Sequence, residues 1–138
     1  MTTRAEIVAR ARAYLDTPFE HQGRLMGVGV DCAGLVIKVA HDLGLSTFDI
    51  DGYSDQPDEE TFRATLREQM EQIRVGDVEP GDVLTFHFGK ERHMAIVAGV
   101  DPIRIIHAWS KVGRVAEHPV DPSMWLRVRG CYRYRGAE

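Results

Sequence analysis

The side chains in this sequence with the widest chemical reach are one cysteine and a set of histidines. Cys32 follows Asp31 at the point where an apolar helical run begins, Cys32-Ala33-Gly34-Leu35-Val36. A thiol in the first turn of a helix meets unpaired backbone N–H groups and the positive end of the macrodipole, which favour thiolate over thiol. That placement suits a nucleophile. It also suits a small packing residue, since free cysteine is among the most buried residue types. Cys131, in a strand-like run with no base near it in sequence, is expected only to pack. The two cysteines make no disulfide framework, and no CxxC pair or zinc-ribbon spacing is present.

A thiol nucleophile needs a base that takes its proton and later protonates the leaving amine, and histidine titrates in the right range. The chain has six histidines. His21 and His41 flank Cys32, His87 and His118 sit in strand-like runs, and His93 and His107 lie on two arms of a hairpin turning near Val100. If the turn is tight, residues whose numbers sum to about 200 face each other, which sets His93 beside His107 as a base and its orienter. A slip of one residue would send one imidazole to the opposite face. His107 lies in Ile105-Ile106-His107-Ala108-Trp109, a run apolar enough to be buried, where a polar ring needs a partner. His41, His87 and His118 are expected to be hydrogen-bonded structural residues.

The elements that must position these groups follow from periodicity. Thr3-Arg4-Ala5-Glu6 has capping-box spacing, and Ile7, Ala11, Tyr14 and Leu15 share a face until Thr17-Pro18, predicting a helix over residues 3–16. A glycine-punctuated loop ends at Asp31, whose carboxylate can cap a second helix, Cys32 to Leu43, closed by Gly44. Residues 49–58 are acidic and turn-rich. Phe62, Leu66, Met70 and Ile73 then mark an amphipathic third helix. Beyond Gly76 the period changes to strands at Val83–Phe88, Arg92–Val100 and Ile103–Trp109, with weaker ones at Val112–Val120 and Leu126–Tyr134. Helices first and hairpin-linked strands after predict an α+β fold, N-terminal helices packed on an antiparallel sheet, in one domain spanning residues 1–138.

Composition narrows the function. With 138 residues, 43% hydrophobic and 28% charged, the chain reads as one globular domain. A net charge of −4 argues against a nucleic-acid partner, and Arg127, Arg129, Arg133 and Arg135 read as a local basic edge. The longest apolar stretch, Cys32 to Ala40, is too short to span a bilayer. Met1-Thr2-Thr3-Arg4-Ala5-Glu6 lacks the pattern of a secretory signal, so if the protein acts outside the cell that makes it, something else is expected to deliver it. No cofactor is expected.

Four segments in order, Asp31-Cys32-Ala33-Gly34-Leu35-Val36, Glu79-Pro80-Gly81-Asp82-Val83-Leu84, His93-Met94-Ala95-Ile96-Val97-Ala98-Gly99 and Ile105-Ile106-His107-Ala108, resemble the signature segments of the NlpC/P60 cysteine peptidases. The likeness is greatest to the short phage-tail and gene-transfer-agent members and runs from the first helix through Trp109. It implies a papain-like fold and hydrolysis of peptidoglycan stem-peptide amides, typically the bond from D-γ-glutamyl to the diamino acid. On that reading Cys32 is the nucleophile, His93 the base and His107 the residue that orients His93; phage-like tail-tip proteins are the implied partners. The backbone N–H of Cys32 is the natural oxyanion donor. Phe19, His21, Asp31, Ala33 and Trp109 are the expected substrate-contacting positions.

Two positions depart from the pattern. Phe19 stands where family members commonly carry a tyrosine, so a phenol hydroxyl is lost, and His21 is one candidate to replace it. Ala33 stands where a serine often follows the nucleophile. Three other readings compete: a tail-tip assembly protein that keeps the fold without activity, acyl transfer to an acceptor other than water, and a zinc site from Cys32, His93 and His107. The zinc reading lacks the close-spaced ligand pair that usually anchors such sites. The acidic run from Asp49 to Glu60 lacks the glycine and glutamate of a calcium loop and reads as a solvated segment bordering the cleft.

Overall fold

In a computed structural model, which describes residues 1–138, the chain opens with helix α1 (Arg4–Arg12). The Thr3 hydroxyl accepts a hydrogen bond from the Glu6 N–H at 3.1 Å, the N-terminal half of the expected capping box. The helix ends before residue 16. The N–H of Asp16 donates to the Val115 carbonyl, and the Thr17 carbonyl accepts from Val115 N–H, so a distant strand draws off the last expected turn.

A two-stranded ribbon, β1 (Arg24–Leu25) and β2 (Gly29–Val30), leads into helix α2 (Cys32–Asp42). Asp31 caps α2 as anticipated, accepting the Gly34 N–H at 2.7 Å. Helix α3 (Glu59–Gln69) is capped by Asp58 and stops earlier than the periodicity indicates. Met70 and Ile73, which continue its apolar spacing, belong instead to strand β3 (Met70–Ile73). The open hydrogen-bonding edge of the C-terminal strand captures them, because a ladder of backbone bonds outweighs the weak helical preference of a chain end.

After a single 3₁₀ turn at Val75–Asp77 come β4 (Val83–Phe88), β5 (Glu91–Val100), β6 (Ile103–Trp109), β7 (Arg114–Pro119), a short helix α4 (Pro122–Trp125) and β8 (Val128–Tyr134). The long strands and β3 form one antiparallel sheet in the order β3-β8-β4-β5-β6-β7. The α+β class and the packing of helices on an antiparallel sheet agree with the sequence; α4 and the β1–β2 ribbon were not foreseen. No helix is long and apolar enough to cross a membrane.

Alternation along the strands divides the core between the two faces of the sheet. On one side Ile7, Ala11, Leu35, Val39 and Leu66 from the helices pack on Val83, Ile96, Ile106 and Tyr132. On the other, Leu84, Phe86, Ala95, Val97, Ile105 and Cys131 pack with Met124 of α4. Each such aliphatic side chain withdrawn from water contributes about 1.5–3 kcal/mol. Cys131 therefore has the packing surroundings expected of it.

Asp82, fully buried, ties the ends of the chain together. Its carboxylate accepts from Arg4 Nη1 at 3.0 Å and from Arg133 Nε and Nη2 at 2.8 and 2.9 Å, and it also takes the Glu79 N–H. The supposed basic edge is thus partly spent inside the protein. Arg133 holds Asp82, and Arg135 donates to the carbonyls of Arg67 and Met70.

Candidate active site

The start of α2 and the adjoining ends of β5 and β6 wall a cavity of about 470 Å³ lined by Phe19, His21, Asp31, Cys32, Ala33, His93 and Trp109, among others. Cys32 lies there because it is the first residue of α2, where its N–H has no helical partner. The loop before it packs so closely on the helix that a Cβ on Gly34 would overlap the Gly23 carbonyl oxygen. Glycine at position 34 is what lets the loop pass.

Asp31 is saturated. Its Oδ1 accepts from Gly34 N–H and Arg24 Nη1, and its Oδ2 from Gln22 N–H at 2.7 Å and the Tyr53 hydroxyl at 2.6 Å. Tyr53 comes from the acidic loop, which does border the cleft, and it supplies a phenol to the cavity that also holds Phe19. His21 sits edge-on to the Tyr53 ring, exposed, with Nδ1 3.8 Å from Asp31 Oδ2. Loop residues carry no periodicity, so Tyr53 had no sequence signal beyond lying in a segment placed beside the cleft.

The histidines come together, by a different register from the one expected. β5 pairs with β6 through Ile96 and Ile106, and through Val97 and Ile105, two residues away from the anticipated alignment, with an irregularity between Val97 and Gly99. A shift of two preserves the face. His93 Nε2 and His107 Nδ1 lie 2.7 Å apart, both rings buried. The ring of Trp109 is 5.7 Å from that of His93 and stacks on Phe88 at 5.0 Å.

A third imidazole joins them. His107 Nε2 is 2.7 Å from His118 Nε2, and His118 Nδ1 is 2.8 Å from the Pro119 carbonyl oxygen. The pairing of β6 with β7 sets Ala116 opposite His107 and His118 opposite Ile105, which makes His118 the diagonal neighbour of His107 on the same face. The expectation of a hydrogen-bonded His118 is met, but its partner is the centre of the site. His41 bonds the Phe48 carbonyl, and His87 pairs with Glu59.

The electrostatics favour neutral groups. Burial pushes the Cys32 thiol up to about 12, and the Asp31 and Glu91 carboxylates add to the rise, against backbone N–H groups of Met94 and Ala33 that pull it down. Desolvation thus outweighs the helix terminus that was expected to favour a thiolate. Burial and the neighbouring His107 hold His93 well below the ordinary histidine value, and burial, with the repulsion His118 adds whenever it is protonated, lowers His107 to about 4. The site at rest pairs a thiol with neutral imidazoles.

The NlpC/P60 family model matches residues 16–133. Among solved structures the chain is similar to the NlpC/p60 domain of the peptidoglycan hydrolase SagA, with 25% identity, TM-score 0.65, and coverage of 94% of this chain and 97% of that one. It is similar in fold to an NlpC/P60 family protein from Bacillus cereus, at 18% identity and TM-score 0.70, covering 95% of this chain and 40% of that one. RipB, a peptidoglycan hydrolase from Mycobacterium tuberculosis, shares the fold at 18% identity and TM-score 0.64, over 95% and 64% of the two chains. The chain therefore spans nearly all of one of these relatives and less than two thirds of the other two. No curated protein sequence matches it. With the family model covering most of its length and its four motif segments, the chain belongs to the NlpC/P60 family.

Proposed function

We propose that this protein is a thiol amidohydrolase that cleaves peptidoglycan stem peptides at the bond from D-γ-glutamyl to the diamino acid. The observation that carries the reading is Cys32 at the head of α2 sharing a cavity with His93, whose far nitrogen is bonded to His107. The likeness to SagA and RipB, both described as peptidoglycan hydrolases, supports the substrate class. The cavity is lined by the apolar Ile37, Ala40, Phe48 and Phe62 and by the charged Glu91 and Arg92, a mixture suited to a peptide with acidic and amino groups.

Because thiol and imidazole are both neutral at rest, proton transfer accompanies attack. The Cys32 proton passes to the free nitrogen of His93 as Sγ bonds the amide carbon, and the carbonyl electrons move to oxygen. The unpaired N–H of Cys32 is placed to stabilise that oxyanion. His93 then gives its proton to the leaving amine as the C–N bond breaks, leaving a thioester. A water attacks next, losing its proton to His93, and collapse restores the thiol and releases the acid. The burial of the His93 and His107 rings strengthens the hydrogen bond between them.

The setting we propose is local wall degradation by a phage-like tail, supported by the resemblance to short tail members of the family. Residues 1–138 act on this account as one catalytic unit. The test is incubation with peptidoglycan and defined muropeptides, with products read by mass spectrometry beside Cys32→Ala. Cleavage between D-glutamate and the diamino acid, abolished in Cys32→Ala, is the expected result. No cleavage of any muropeptide points instead to an assembly protein that keeps the fold.

A further inference from the structure

His118 belongs to none of the family segments, yet it ends an unbroken chain of hydrogen bonds from the candidate base to the backbone. The chain runs His93 Nε2 to His107 Nδ1 at 2.7 Å, His107 Nε2 to His118 Nε2 at 2.7 Å, and His118 Nδ1 to the Pro119 carbonyl at 2.8 Å. A carbonyl oxygen can only accept, so His118 Nδ1 carries its proton and donates. In a neutral ring His118 Nε2 is then a lone pair, and His107 must donate to it from Nε2. That leaves His107 Nδ1 as an acceptor, which takes the proton of His93 Nε2. His93 is left with a bare Nδ1, the nitrogen a base needs.

We propose that His118 is a positioning residue that, through His107, fixes His93 in the tautomer with a free Nδ1. This rests on the proposed function, in which His93 is the base. His107 alone cannot make the choice, since a neutral imidazole donates from either nitrogen and would serve either tautomer of His93. The direction is imposed at the far end, by a backbone carbonyl of β7 acting across three rings. His107 and His93 are both buried, so no water competes to reverse it. A residue at position 118 that only donates reverses every bond: His107 would accept at Nε2 and donate from Nδ1, and His93 would accept at Nε2 and hold its proton on Nδ1.

The test compares an acceptor with a donor at one position. Histidine-selective ¹⁵N NMR near neutral pH reads the tautomer of each ring in the wild type, His118→Gln and His118→Lys, with kcat and KM measured on the muropeptide cleaved in the preceding test. The wild type should protonate His93 on Nε2. His118→Gln, whose amide oxygen can accept from His107, should keep that tautomer and a kcat within about threefold of the wild type. His118→Lys should place the proton on Nδ1 and lower kcat by at least about 100-fold with little change in KM, since a wrong tautomer in a catalytic triad has cost about 10⁴. Wild-type His93 protonated on Nδ1, or His118→Lys matching His118→Gln in tautomer and kcat, overturns the proposal. Should His118→Lys not fold, the wild-type and His118→Gln spectra decide it. Absence of cleavage by the wild type counts against the proposed function alone, because the tautomer is read without substrate.

Discussion

Lowering the pH from 7 to 5 should unfold this protein more readily, and the buried imidazoles set the size of the effect. His107 holds its proton only below about 4 in the folded chain, because burial, and repulsion from His118 once that ring is protonated, disfavour the cation. Released by unfolding, it titrates near the ordinary value of about 6.5. Between those values the unfolded chain binds a proton that the folded chain refuses, so stability rises with pH and is lost as pH falls through the unfolded value. Integrating from pH 7 to 5 gives a loss of about 2 kcal/mol for His107, and His93, lowered in the same sense by burial and by His107, adds to it. Carboxylates interfere little in this window. Glu117, held low by Arg12, gives up its contribution only as pH falls below about 5. Urea unfolding at pH 7 and pH 5 measures the difference, and His107→Gln, which removes one titrating ring, should reduce it by about 2 kcal/mol. Equal stability at the two pH values, or greater stability at pH 5, refutes the claim that these rings are buried and neutral.

Three further outcomes follow from the same geometry. Asp82→Ala strands Arg4 and Arg133 and should cost about 3 kcal/mol in urea unfolding, with a loss under 1 kcal/mol arguing against Asp82 as the tie between the chain ends. Gly34→Ala drives a methyl into the Gly23 carbonyl and should cost about 1–3 kcal/mol and lower kcat, because the loop carrying Phe19 and His21 must move; unchanged melting temperature and turnover would contradict the close packing. With its thiol pushed up to about 12 by burial, Cys32 should react slowly with iodoacetamide at pH 7 and steadily faster as pH rises toward 10, whereas fast alkylation independent of pH from 5 upward would reveal a preformed thiolate–imidazolium pair.

Much of the site was legible because local signals govern it. Asp31 before an apolar helical run announces a cap, and the cap puts Cys32 at the helix start in the sequence as in the structure. The shared face of His93 and His107 is what hairpin alternation predicts, but the register set at the turn, Val100 opposite Ile103, would put the rings on opposite faces; the one-residue shift between Val97 and Gly99 returns them to one face, two residues from the expected pairing. What stayed hidden depends on partners far along the chain. Helical spacing through Met70 and Ile73 cannot report that β8 competes for their backbone. His118 becomes part of the site only once the register of a third strand is known. Tyr53 reaches Asp31 from a loop whose path no pattern encodes. The state of the thiol is hidden for a related reason: a helix terminus is visible in sequence, whereas the desolvation that opposes it is a property of the assembled cavity.

The central claim is that Cys32 forms a covalent thioester with the acyl half of a stem peptide. Acid-quenching the protein during turnover of a defined stem peptide, then measuring the intact mass and mapping the adduct by peptide fragmentation, tests it directly. The intact mass should rise by that of the γ-glutamyl acyl fragment, located on Cys32 and absent from Cys32→Ala. Turnover with no adduct at Cys32, persisting in Cys32→Ala, would contradict it.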